Sequence, residues 1–171
     1  MDLSQYAELF LAESREHLNA CNQLLLDWEK DPGAPEPVSG IFRAVHTVKG
    51  MAATMGYARV TDVAHRMENL LDLLRRGARP ATDELLQLLF RARDALERAV
   101  ELSVVGRERE LELAEILADL DHAGARIAPA GPGGRATPAP APPPVELAPA
   151  QLGNGVLRLL RRAHLDESEA A

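Results

Sequence analysis

The chain has 171 residues, a net charge of -7 and one cysteine. An acidic balance does not suit a nucleic-acid binder, which needs a basic face to neutralise phosphates. The lone thiol, Cys21, excludes an internal disulfide and a multi-cysteine zinc site. Hydrophobic residues make up 46% of the sequence and aromatics 4%. A core of Leu, Ala and Val with few β-branched or aromatic runs favours helices over sheet.

Turn residues divide the first 128 residues into five helical segments. The first spans about 3–28, with Asp2 as N-cap and Gln5 three residues on. Leu3, Tyr6, Phe10, Ser14, Leu18, Cys21, Leu25 and Trp28 recur at steps of three or four and form one face. Asp31-Pro32-Gly33 ends it. The second spans about 38–55 and stops at Gly56. The third spans about 60–76 and closes with Arg75, Arg76 and Gly77. The fourth starts after Thr82, an N-cap followed by Asp83 and Glu84, and reaches about Val104. The fifth spans about 108–125, with Glu108, Glu110, Glu112 and Glu115 expected on a solvated face. No segment alternates with period two, so the expected fold is all-α: an up-down four-helix bundle with an appended fifth helix, then a flexible tail. Residues 1–127 are the expected domain. Eight of the 12 prolines fall within 129–149, which makes 128–149 a Pro/Ala-rich linker. Residues 150–171 form a tail in which Leu152, Val156, Leu157, Leu159 and Leu160 beside three arginines suggest a short amphipathic helix. There is no basic-then-apolar leader and no apolar run of about 20 residues, so the expected setting is the cytoplasm, without membrane insertion.

The informative stretch is IFRAVHTVKGMAATMGY, residues 41–57. At 100° per residue, Ile41, Val45, Val48, Ala52 and Met55 cluster within about 40° of one direction and form a buried stripe. His46 falls about 140° away and points to water; Ala53 and Gly50 are also turned outward, by about 120° and 180°. An exposed imidazole is a nucleophile near neutral pH. Lys49, three residues on, supplies a positive charge for an incoming phosphoryl group. Gly50 in mid-helix costs about 1 kcal/mol against alanine, which points to close approach of another protein at Gly50 and Ala53. In the next helix Val60, Val63, Ala64, Met67, Leu71 and Leu74 form the buried stripe. His65 is turned away from it and Glu68 lies on the flank. With the turn centred near residue 57, an antiparallel hairpin places Glu68 at the height of His46. Its carboxylate is then able to hold one ring nitrogen and leave the other bare.

These strings, HTVKG at 46–50 and HRMENLLD at 65–72, resemble the histidine phosphotransfer (HPt) domain, and within it the N-terminal domain of the chemotaxis histidine kinase (CheA) family. The resemblance covers about residues 1–125. It implies that His46 is a phosphoacceptor, that Lys49, His65 and Glu68 support it, and that the phosphoryl group comes from an ATP-dependent histidine kinase catalytic domain. It further implies passage of that group to an aspartate of a response regulator of the CheY or CheB kind, in a receptor-coupled assembly built through the full-length kinase. Met51 is a departure, standing where many relatives carry a second glycine. No ATP-binding core and no phosphate-cradling glycine loop accompany the motif in these residues. The domain is therefore expected to bind no cofactor, with ATP and Mg²⁺ used by the partner domains. The rival reading is a non-catalytic helical adaptor that docks a signalling partner. A di-iron site is disfavoured because the chain has no Glu-x-x-His pair, only Asp62-x-x-His65 and Asp119-x-x-His122.

Overall fold

The computed structural model describes residues 3–77 and 82–128. Among these residues five α-helices follow one another: α1 Leu3–Lys30, α2 Pro35–Met55, α3 Ala58–Gly77, α4 Asp83–Val104 and α5 Ala114–Ile127. Among the described residues there is no strand, and no helix is long and apolar enough to cross a membrane. The expected linker and tail lie outside the described residues.

The helices close a ring, α1 on α2, α2 on α3, α3 on α4 and α4 back on α1, with α5 laid against α3 and α4. Side-chain pairs give the directions. Arg15 meets Glu101 and Arg93 Nε reaches the Leu18 carbonyl, so α1 and α4 are antiparallel. Arg91 meets Asp119 and Arg126 approaches Glu84, so α4 and α5 are antiparallel as well. Arg66 pairs with Asp121 while Gly124 lies against Leu73, so α5 runs parallel to α3. This is an up-down bundle with a fifth helix on its flank.

The apolar stripes meet at the axis. Phe10, Leu18, Cys21, Leu25 and Trp28 of α1 are buried with Ile41, Val45 and Val48 of α2. Val63, Met67 and Leu71 of α3 and Leu89, Leu96 and Ala99 of α4 complete the interior. Each fully buried aliphatic side chain contributes about 1.5–3 kcal/mol over exposure, and these stripes, more than helix propensity, hold the bundle. Tyr6 is half-buried, and the side chain of Leu3 lies outside those described. Burial pushes the Cys21 thiol up to about 12, so it stays protonated and inert in the core. Gly40 shows how closely α1 and α2 approach: a Cβ there would lie 2.6 Å from Leu24 Cδ1.

The turn that matters for the site is the shortest. Gly56 takes the left-handed conformation, φ 75°, at the end of α2. Its N–H donates to the Ala53 carbonyl and that of Tyr57 to Ala52, the paired closure of a Schellman motif. α3 then starts at Ala58, and α2 and α3 form a tight hairpin. At α4 the expected cap is present: Thr82 Oγ1 accepts from the Leu85 N–H at 3.3 Å. Thr82→Ala should cost about 1 kcal/mol, read as a lowered midpoint in urea with an unchanged slope; an unchanged midpoint would mean the cap is idle.

Two boundaries and one core assignment differ from the sequence reading. α2 begins at Pro35, because prolines are tolerated in a first helical turn, where the N–H groups have no partner. Met55 is half-buried, whereas Met51 is buried and belongs to the core. α5 begins at Ala114, not near 108. Glu108–Glu110 is a single 3-10 turn, after which Leu111 and Leu113 are buried in non-helical backbone. The four glutamates therefore do not share a helix face: Glu108 accepts from Ser103 Oγ, and Glu110 pairs with Arg107.

Candidate functional site

His46 emerges from the outward face of α2 with 59% of its side chain exposed. It is exposed because Val45 and Val48, fixed in the core, leave the residue between them no inward direction. Glu68, on α3, meets it from across the hairpin: Nδ1 lies 3.2 Å from Glu68 Oε2. Lys49, one turn along α2, brings Nζ to 2.7 Å from the same oxygen. One carboxylate oxygen thus faces both groups. That oxygen is buried and neither approach is aligned as a hydrogen bond, so the Lys49 contact is an ion pair and the His46 contact one of proximity.

The arrangement has a chemical consequence. With Nδ1 turned to a carboxylate, the ring favours the tautomer that carries its proton there. Nε2 is left with its lone pair on the outward edge. A cation that forms on the ring when Nε2 is alkylated or phosphorylated is stabilised by the carboxylate behind it, the role of an orienting group in nucleophilic catalysis. Lys49 is not an open cation waiting at the surface. It is one-quarter exposed and engaged with Glu68.

The hairpin therefore sets His46 and Glu68 at one height, with Lys49 against the same carboxylate. His65 is placed differently. It is exposed, one turn nearer the α2–α3 connection, and lines a shallow depression with Ala53, Gly56, Ala58, Thr61 and Asp62. Asp62 pairs with Arg66, and Asp119 with Arg91, so the two Asp-x-x-His carboxylates face guanidinium groups. Gly50 and Ala53 are both exposed, and a Cβ at Gly50 would meet nothing within 4 Å. No packing among the described residues asks for that glycine. Gly50→Ala is accordingly expected to raise stability by about 1 kcal/mol, seen as a higher melting temperature. A lowered melting temperature would show that the fold itself needs the glycine.

Sequence reasoning passed over Phe42 and Arg75. Phe42 stacks on the His46 ring, and Arg75 lies over Phe42. The available signal was position: Phe42 is one turn before His46 on its face, and Arg75, across the hairpin, lies within a turn of the height of Phe42, in reach of a long side chain.

Comparison with known proteins places this geometry in context. Residues 5–123 match the Hpt domain family. The chain is 45% identical over 125 residues to chemotaxis protein CheA of Bacillus subtilis (strain 168), covering 73% of this chain and 19% of that protein. It is 41% identical over 114 residues to chemotaxis protein CheA of Listeria monocytogenes, covering 67% and 18%. The chain thus spans about a fifth of the length of these relatives. Among solved structures it resembles the phosphorylated P1 domain of CheA3 in complex with CheY6 from R. sphaeroides, with TM-score 0.63 and 29% identity over 73% of this chain and 97% of that one. It also resembles the CheA phosphotransferase domain from Thermotoga maritima, with TM-score 0.57 and 36% identity over 61% and 99%.

Proposed function

Because the chain belongs to the Hpt domain family, we propose that it is a phosphoryl carrier of a chemotaxis two-component system, with Nε2 of His46 as the acceptor atom. The observation that carries the reading is the 3.2 Å approach of Nδ1 to Glu68, which leaves Nε2 outward on an exposed ring. The lone pair of Nε2 attacks the γ-phosphorus of ATP held by a separate histidine kinase catalytic domain. An N–P bond forms, the bond from phosphorus to the bridging oxygen breaks, and ADP leaves with that electron pair. Glu68 faces the positive charge that develops on the ring. In the second transfer a carboxylate oxygen of a response-regulator aspartate attacks phosphorus, and the N–P electrons return to Nε2. The relative solved as a phosphorylated P1 domain with CheY6 supports a regulator of the CheY kind as recipient.

ATP and Mg²⁺ belong to the partner domains in this scheme, and the setting is the cytoplasm, where kinase and regulator meet. Gly50 and Ala53, exposed beside His46, allow a partner surface to approach the ring closely. His65 stands on the same exposed side and serves as a supporting residue toward a docked partner. The test is direct. The chain is mixed with a CheA kinase core, Mg²⁺ and radiolabelled ATP, and a CheY-type regulator is added afterwards. Acid-labile, alkali-stable label is expected on the chain, followed by its loss to the regulator. Absence of label with a competent core would favour the adaptor reading instead.

A further inference from the structure

The His46 ring has a second neighbour that the transfer chemistry does not use. Phe42, one turn earlier on α2, lies nearly parallel to it, with centroids 6.0 Å and planes 16° apart. From α3, Arg75 lays its guanidinium over the Phe42 ring, Cζ 4.4 Å from the centroid. Arg75 is itself tied down: Nη2 donates to Asp72 Oδ1 at 2.8 Å, and Arg76 Nε lies 2.8 Å from Asp72 Oδ2. Hydrogen bonding from Arg75, with Arg76 beside it, holds the Asp72 carboxyl below the usual carboxylate range. A chain of contacts therefore runs from Asp72 through Arg75 and Phe42 to His46.

An exposed imidazole needs such a constraint. Glu68 touches one ring atom, and obliquely. The χ2 torsion of His is broad, so a contact at one atom lets the ring rock and sweeps the direction of the Nε2 lone pair. In-line attack requires that lone pair to be aimed at phosphorus. A flat aromatic wall parallel to the imidazole limits the rocking. Phe42 has a broad χ2 of its own, and the guanidinium laid over its face limits that in turn.

We propose that Phe42 and Arg75 are positioning residues for phosphoryl transfer, fixing the plane of the His46 ring as a second constraint beside Glu68. The inference rests on His46 being the phosphoacceptor. Two variants of the whole chain test it. Phe42→Leu keeps apolar bulk without the ring, and Arg75→Met keeps length without the cation. Two properties are read: the ring-proton NMR shifts of His46, and kcat and KM for phosphorylation by a CheA kinase core. Phe42→Leu should remove the ring-current displacement of the His46 protons and lower kcat about ten-fold with KM unchanged; Phe42→Tyr should restore both. Arg75→Met, at an exposed site that the core does not depend on, should lower kcat about three-fold and broaden or shift the same protons. Wild-type kcat and shifts in Arg75→Met, or wild-type kcat in a folded Phe42→Leu, would overturn the proposal. A raised KM with unchanged kcat would overturn it too, making this a docking patch. His46→Gln separates the two levels. Label lost there while Phe42→Leu runs at full speed removes only the positioning role, whereas label retained in His46→Gln removes the acceptor reading itself.

Discussion

His46→Gln is expected to abolish phosphorylation of the chain by a CheA kinase core while leaving the bundle intact. The loss should be complete because the substitution removes the imidazole that Glu68 orients, while His65, also exposed, lies a turn nearer the α2–α3 connection. Lys49 is engaged with Glu68, and Glu68 itself is 15% exposed. The fold should not notice. The His46 side chain is more than half in water, and surface substitutions of that kind stay within about 0.5 kcal/mol. Far-ultraviolet circular dichroism and the melting temperature should therefore match the parent chain, with label absent at every time point. Label persisting in the variant would reject His46 as acceptor.

Glu68→Ala is the second large effect. The carboxylate touches both Nδ1 of His46 and Nζ of Lys49. Its removal frees the ring to adopt the other tautomer and removes the charge facing the nascent phosphoimidazole. Orienting and proton-holding groups of this kind are worth about 100-fold or more in rate, so phosphorylation should slow by about 100-fold. Glu68→Gln keeps a carbonyl oxygen within reach of Nδ1 but no charge, and should fall between, near ten-fold. Both variants should remain helical. A wild-type rate for Glu68→Ala would take Glu68 out of the mechanism and leave it an ordinary partner of Lys49.

Much of this was legible in the chain because helical periodicity converts directly into facing. The stripes of α2 and α3 placed His46 outward, and the rise per residue set Glu68 opposite it; the 3.2 Å contact is the outcome of that arithmetic. The same periodicity failed where helix gives way to other backbone. Residues 108–113 carry a helix-like mixture of Glu, Arg and Leu, yet Leu111 and Leu113 are buried two apart, a spacing that extended chain can satisfy and a helix cannot. The pairing of Lys49 is illegible for a different reason. Its distance from His46 along α2 was readable, but its choice of Glu68 over solvent depends on a neighbour from another helix. The Phe42–Arg75 contact is of the same kind: a cation and a ring 33 residues apart in sequence, joined only once the hairpin has closed.

The transfer chemistry turns on which ring nitrogen Glu68 holds. Nitrogen-15 NMR of the chain labelled at histidine reads this in both states. Before phosphorylation the His46 proton should reside mainly on Nδ1, and after it the phosphorus coupling should appear at Nε2, with Glu68→Gln shifting the tautomer balance of the free ring. Phosphorus coupled to Nδ1, or a free ring protonated mainly at Nε2 and indifferent to Glu68→Gln, would contradict it.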